Sequence, residues 1–233
     1  MTEVSHVILF DIDGTLIHSA RAGIRGMNAA FARLYGVADA LEGVELAGRT
    51  DRAIASQVFR AIGREPTAEA IMALREAYVH HLAEEIAKPL PGSLVLPGVM
   101  AVLDALEARD DCAVGLLTGN FERGAAIKLG HFQLWSRFAF GAFGDDHVSR
   151  RDLVPIAMAQ AARRAGRSFP ASRVVVIGDT PLDVDCAQAH GARSVGIATG
   201  PFTRDALASA RADLVLDTLE ETGTFLEWLQ DEA

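Results

Sequence analysis

Val7-Ile8-Leu9-Phe10-Asp11-Ile12-Asp13-Gly14-Thr15 decides the fold class of this 233-residue chain. Four consecutive apolar residues stop at an acidic, glycine-containing turn, as a strand buried on both faces does. The same grammar returns twice. Val114-Gly115-Leu116-Leu117 runs into Thr118-Gly119-Asn120, and Val174-Val175-Val176-Ile177 runs into Gly178-Asp179-Thr180. Weaker strands are expected over 138–140, 194–197 and 214–216. Between these runs lie helical patterns: Val99, Val102, Leu103 and Leu106 on one face, then 121–129, 153–165 and 182–190. Strand and helix alternate, which predicts a parallel, doubly wound α/β sheet of Rossmann type.

The stretch 17–91 breaks the alternation. It has helical periodicity and no convincing strand; Ile71, Leu74, Tyr78, Leu82 and Ile86 share one helix face. Its exit is marked by Pro89, Pro91-Gly92 and Pro97-Gly98, breakers suited to a hinge. The expected organisation is therefore a catalytic α/β core from residues 1–16 and 96–233, with an all-helical cap inserted at 17–95. An insert after the first strand sits over that strand's carboxyl end, where open α/β sheets bind ligands.

Composition narrows the function classes. Half the residues are hydrophobic and 23% are charged, as in folded globular proteins. A formal net charge of -9 argues against general attraction to nucleic acid or anionic membranes, while leaving room for a local basic pocket. Cys112 and Cys186 are far apart beside apolar residues, so buried thiols are expected and a disulfide framework is not. No long uncharged apolar run occurs, and the opening Met1-Thr2-Glu3-Val4-Ser5-His6 lacks the basic segment of a signal peptide. A cytoplasmic protein, monomer or homodimer, is the expectation.

The three strand ends would gather Asp11, Asp13, Asp179 and Asp183 at one rim. Such crowding is costly unless a cation neutralises it, and hard oxygen ligands in a partly hydrated site suit Mg²⁺. In Asp11-Ile12-Asp13 the extended period of two sends both carboxylates the same way, and Gly14 permits a sharp turn. One acid could attack phosphorus while the other moves protons; an ordinary acidic turn is the plain alternative. Asp179 and Asp183, four apart at a helix start, could share a metal or merely cap the helix. Thr118, Gly119 and Asn120 could hold phosphate oxygens or form a simple strand-to-helix turn.

Together, Asp11-Ile12-Asp13-Gly14-Thr15, Leu116-Leu117-Thr118-Gly119-Asn120 and Gly178-Asp179-Thr180-Pro181-Leu182-Asp183 resemble the first, second and fourth motifs of the haloacid dehalogenase-like superfamily. The helical insert resembles the cap of the phosphoglycolate phosphatase and β-phosphoglucomutase branch. That resemblance implies a phosphatase of small phosphorylated metabolites. Asp11 would be the phosphorylated nucleophile and a Mg²⁺ ligand, and Asp13 the acid/base, binding metal through its carbonyl. Thr118 would bind phosphate beside Gly14, Gly119 and Asn120; Asp179 would complete the metal shell, supported by Asp183.

The third motif departs from the family pattern. Where a lysine is usual, this chain has Ser149-Arg150-Arg151-Asp152, and the nearest lysine, Lys128, lies on the preceding helix. An arginine is expected to take the role, Arg150 ahead of Arg151, because a guanidinium fork bridges phosphate and carboxylate oxygens. In the cap, Arg49 of Gly48-Arg49-Thr50-Asp51 could meet an anionic substrate group or simply be solvated. His18 would lie in the hinge. Asp13 argues against a dehalogenase, which needs no proton for its leaving group. Lys88, the only lysine in the cap, is poorly placed for the imine of a phosphonate hydrolase. A phosphomutase is the alternative enzyme, and a non-catalytic Mg²⁺ or phosphate-binding regulator the alternative of another class.

Overall fold

The computed structural model describes residues 4–230, so Met1–Glu3 of the opening stretch lie outside them. The chain runs β1 (His6–Phe10), β2 (Ile17–Ser19), α1 (Ala22–Tyr35), α2 (Asp51–Ala61), α3 (Ala68–Ile86) and β3 (Ser93–Val95). It continues through α4 (Val99–Glu107), β4 (Cys112–Leu117), α5 (Glu122–His131), β5 (Gly141–Ala142), α6 (Leu153–Ala165), β6 (Val174–Gly178) and α7 (Pro181–Gln188). Last come β7 (Arg193–Ile197), α8 (Arg204–Ser209), β8 (Leu214–Leu216) and α9 (Thr222–Gln230).

Six parallel strands form one sheet in the order β5-β4-β1-β6-β7-β8. The apolar runs are explained by burial on two faces. Ile8, Phe10, Val175 and Ile177 point toward α4, α5 and α9, while Val7, Leu9, Val174 and Val176 point toward α6 and α7. Each such side chain is fully buried, worth about 1.5–3 kcal/mol against exposure. β1 lies between β4 and β6, with Leu9 opposite both Gly115 and Val176. Its carboxyl end is thus central to the sheet rim.

α1, α2 and α3 pack a second hydrophobic cluster, including the expected face of Ile71, Leu74, Tyr78, Leu82 and Ile86, and Phe121, ahead of α5, is buried in it too. Phe59 meets Phe31 at 5.3 Å and Tyr35 at 5.1 Å, ring centre to ring centre, edge to face. The insert is tied to the core by an antiparallel ribbon in which Ile17 pairs with Val95 and Ser19 with Ser93. These three-residue strands are too short to show a period of two; both lie within 17–95, so the stretch expected to be all-helical carries a two-stranded ribbon.

Two further expectations change. The edge strand is Gly141–Ala142, not 138–140. The aromatic residues that suggested a strand instead plug the end of the sheet: Phe138 packs edge-on against Phe10 at 6.2 Å, and Phe140 fills the space over Gly115. Cys186 is buried as expected, but Cys112, at the solvent-side start of β4, is only partly so; both are free thiols. Among the described residues no helix is long and apolar enough to cross a membrane.

Candidate active site

The sheet rim divides into an acidic side and a balanced side. Asp11 follows β1 directly, its N–H donating to the Ile177 carbonyl at 2.9 Å. At Gly14 the backbone takes φ +80°, and a Cβ there would collide with the Asp179 carboxylate. Only glycine satisfies both constraints. Asp179 follows β6, and Thr15 Oγ1 donates to its Oδ1 at 3.4 Å. Asp183 sits in the first turn of α7, where its Oδ2 accepts from the Thr180 N–H at 3.0 Å and from the Thr180 hydroxyl at 2.7 Å. The helix-capping alternative for Asp183 therefore holds, alongside its place in the acidic group.

Asp11, Asp179 and Asp183 are all buried, and each offers a carboxylate oxygen within 4.8 Å of the others. One guanidinium faces them. Arg150, 7% exposed, brings Nη2 to 3.0 Å from Asp11 Oδ1 and 2.5 Å from Asp183 Oδ1. Neither carboxylate oxygen gains a well-aligned hydrogen bond. Arg150 is steadied by long contacts to the carbonyls of Leu117 at 3.3 Å and Gly48 at 3.4 Å. Burial pushes Asp11 and Asp179 above the ordinary carboxylate range; their acidic neighbours add to this, and Arg150 only partly opposes it. Burial alone would weaken the Arg150 cation, but Asp11 and Asp183 outweigh that and hold it charged.

The other side is built on Asp13, whose side chain is 42% exposed. Lys128 on α5, 4% exposed, donates from Nζ to Asp13 Oδ2 at 2.6 Å and to Asn120 Oδ1 at 2.7 Å. Asn120 Nδ2 donates to the same Asp13 oxygen at 2.9 Å and to Thr118 Oγ1 at 2.8 Å. Desolvation would raise Asp13, but the Lys128 charge and the two hydrogen bonds win and hold it below the usual range. Thr118 is fully buried, and its Oγ also accepts from the Asn120 N–H at 3.3 Å, so its own hydrogen is free to donate.

Lys128 is the residue that reading by motif order passed over. It takes its place by helical spacing: with Ala125 and Leu129 it forms the inward face of α5, and a lysine at such a position needs a partner. Thr199 and Gly200, after β7, were also missed. Thr199 Oγ1 donates to the Gly14 carbonyl at 2.6 Å, and a Cβ at Gly200 would strike Asp179.

The remaining candidates fall outside this cluster. Arg151 is exposed and forms a bidentate pair with Asp185. Arg49 is exposed at the cavity rim and pairs with Glu45 at 2.6 Å. His18 is exposed on β2 and also lines the cavity. The space left by the missing side chain of Gly119 is occupied by the Arg49 carbonyl, and the Asp51 N–H donates to the Gly119 carbonyl at 2.7 Å. The loop before α2 thus docks on the turn after β4. One cavity of about 580 Å³ joins the carboxylates to the underside of the cap.

A parallel sheet carrying this constellation defines a class, and sequence comparison agrees. The chain belongs to the haloacid dehalogenase-like hydrolases, whose family model matches residues 8–188. It is a hydrolase of phosphate monoesters, and phosphoglycolate phosphatases are among the curated proteins it is similar to. It is similar to the phosphoglycolate phosphatase of Yersinia pseudotuberculosis, 28% identical over 211 residues covering 90% of this chain and 88% of that protein. The phosphoglycolate phosphatase of Rhodospirillum rubrum is 28% identical over 228 residues, 96% of this chain and 91% of its own. Among solved structures, CbbY from Rhodobacter sphaeroides in complex with phosphate superposes with a TM-score of 0.70 at 22% identity, covering 94% of this chain and 97% of CbbY. A putative β-phosphoglucomutase from Bacteroides vulgatus gives 0.67 at 20% identity, covering 99% of this chain and 90% of that one.

Proposed function

We propose that this enzyme is a Mg²⁺-dependent phosphatase that hydrolyses a small phosphate monoester through an aspartyl-phosphate on Asp11. The observation that carries the proposal is the asymmetry of charge: three buried carboxylates share one guanidinium, while Asp13, beside them, has a lysine to itself.

The acidic side fits a divalent cation. Its formal deficit of two charges, its all-oxygen donor set and an Asp11 Oδ1 without an aligned donor match what hard cations bind. Asp11 and Asp179 would hold the ion with the Asp13 carbonyl, while Asp183, already engaged by Thr180 and Arg150, would brace them. When bound, Mg²⁺ would supply positive charge to the phosphoryl oxygens.

The residues divide the work as follows. An Asp11 oxygen attacks phosphorus, the bond from phosphorus to the leaving oxygen breaks, and the proton that enters with the monoanionic ester reaches the leaving oxygen through Asp13. Asp13, ionised again, then takes a proton from water, whose oxygen attacks the phosphorus of the aspartyl-phosphate and releases phosphate and free Asp11. Thr118 donates its hydroxyl hydrogen to a phosphoryl oxygen, and Arg150 neutralises charge beside Asp11. Lys128 and Asn120 fix the Asp13 carboxylate throughout. Catalysis of this kind rests on positioning and on fixed charge. The core of 1–16 and 96–233 carries this machinery, and the insert of 17–95 covers it; a cytoplasmic setting suits such chemistry.

A screen of phosphate monoesters with purified protein and Mg²⁺, run in parallel with Asp11→Asn, tests the proposal. At least one ester should release phosphate with the native chain and none with the variant; equal rates would refute it. A phosphomutase would use the same two aspartates and is distinguished by conversion of β-glucose 1-phosphate to glucose 6-phosphate without phosphate release.

A further inference from the structure

The cavity is chemically divided, and its two halves point to different parts of one ligand. Its floor is the sheet rim, with the carboxylates, Thr118 and two buried cations. Its roof is apolar: Ile24 and Met27 of α1, Leu41 and Leu46 of the following loop, Ile54 of α2, and the ring of Tyr78 on α3. Met27, Leu41, Ile54 and Tyr78 are buried, and Ile24 and Leu46 are partly so. The volume of about 580 Å³ falls among pockets that enclose drug-sized ligands. A two-carbon hydroxy acid would leave most of it unfilled.

The cations that line the cavity are committed elsewhere or face water. Arg150 is held by Asp11 and Asp183, and Lys128 by Asp13 and Asn120. Arg49 pairs with Glu45 at the rim, and Arg21, just before α1, and His18, on β2, are exposed to water. Of the charged groups of the insert that line the cavity, the one that is not exposed is an acid: Asp51, whose Oδ2 accepts from the Phe121 N–H at 2.9 Å. A carboxylate or second phosphate on the leaving group would meet that acid and an apolar wall. Each unpaired polar group buried there costs about 1–3 kcal/mol, and a charge costs more.

We infer that the alcohol released from the phosphate ester is uncharged and largely apolar, bound through its carbon skeleton against the Ile24, Met27, Leu41, Leu46 and Ile54 surface. This rests on the phosphatase proposal above and narrows its substrate class away from hydroxy acids, sugars and bisphosphates. The leaving group is the part of the ester that extends from the floor toward the cap, because the phosphoryl group is held at the rim by Asp11 and Thr118.

The test is a homologous series of n-alkyl phosphates, ethyl through hexyl, compared with 2-phosphoglycolate and glucose 6-phosphate on the full chain with Mg²⁺. The alkyl esters share nearly one leaving-group reactivity, so a trend in kcat/KM reports binding of the chain. The expected result is a rise of roughly three- to four-fold per methylene until the roof is filled, with hexyl phosphate ahead of both polar esters. Leu46→Gln, in a part-exposed loop position of that surface, should flatten the slope across the series. A flat or falling series, or a preference for 2-phosphoglycolate or the sugar phosphate, overturns the inference and leaves the phosphatase proposal standing. No Asp11-dependent hydrolysis of any of these esters overturns both.

Discussion

The two sides of the catalytic rim solve the same problem differently. On one side Asp11, Asp179 and Asp183 are buried around a single arginine; on the other, half-exposed Asp13 is matched by Lys128 and Asn120. Buried charges that lack a full complement of opposite charge are tolerated when something else completes them. The acidic side is therefore incomplete by itself, whereas the Asp13 side is complete within the chain. Under the proposed mechanism, the difference separates the carboxylates that await a ligand from the one held for proton transfer.

The comparison is sharpened by removing each side's cation in turn. Chelating divalent ions should have the largest effect: hydrolysis should cease in excess EDTA and return with Mg²⁺. In Asp179→Asn the return should be weak, and the thermal stabilisation by Mg²⁺, about 2.7 kcal/mol at a hundred-fold excess over Kd, should be lost. Turnover that survives chelation would break the contrast. Next is Arg150→Met, which strands three buried acids. Breaking a buried ion pair costs roughly 3–5 kcal/mol, so the apparent Tm should fall by on the order of 10 °C, along with activity. Arg150→Lys should recover part of both, because the charge remains while the fork is lost. A wild-type melting profile for Arg150→Met would show that the acidic side does not depend on it.

Lys128→Met tests the balanced side. Asp13 is partly solvated, so the fold should persist, while kcat falls by roughly 10²-fold, the range of a positioned acid/base, with KM little changed. An unchanged kcat would remove Lys128 from the site.

How much of this was legible follows from what each residue signals locally. Asp11, Asp13, Thr118 and Asp179 each sit directly after an apolar strand run, so the sheet's topology brings them together, and the sequence pattern is sufficient to say so. Spacing to the next helix favours Arg150 over Arg151 for the third motif; in the structure Arg150 faces the carboxylates and Arg151 turns outward to Asp185. Lys128 was passed over because its partner, Asp13, is 115 positions away; only its place among Ala125 and Leu129 hints that it points inward. The ribbon at the hinge was invisible because three residues do not make a period. Asp183 carried two roles that spacing alone does not separate, capping α7 and completing the acidic group.

The smallest expected effect concerns Asp51, in the first turn of α2, which accepts from the Phe121 N–H. Burial is the main cause that raises its carboxyl to about 6, while Lys128 and the Phe121 N–H oppose this. A folded-state value above the unfolded one means that the folded chain binds more protons between about pH 4 and 6, so stability from this group falls as pH rises through that window. Asp51→Asn removes the cost of ionisation and keeps an oxygen to accept from Phe121. It should stabilise the protein by roughly 1 kcal/mol above pH 6 and by little near pH 4. A constant difference across pH would refute the assignment.

The central claim is that Asp11 carries the phosphoryl group, and it is tested most directly by acid-quenching the enzyme during turnover and mapping phosphorylation by mass spectrometry. The account predicts one phosphoryl group on the peptide containing Asp11, absent from Asp11→Asn and longer-lived in a variant of Asp13. Sustained hydrolysis with no phosphorylated peptide, or with the label on another residue, would contradict it.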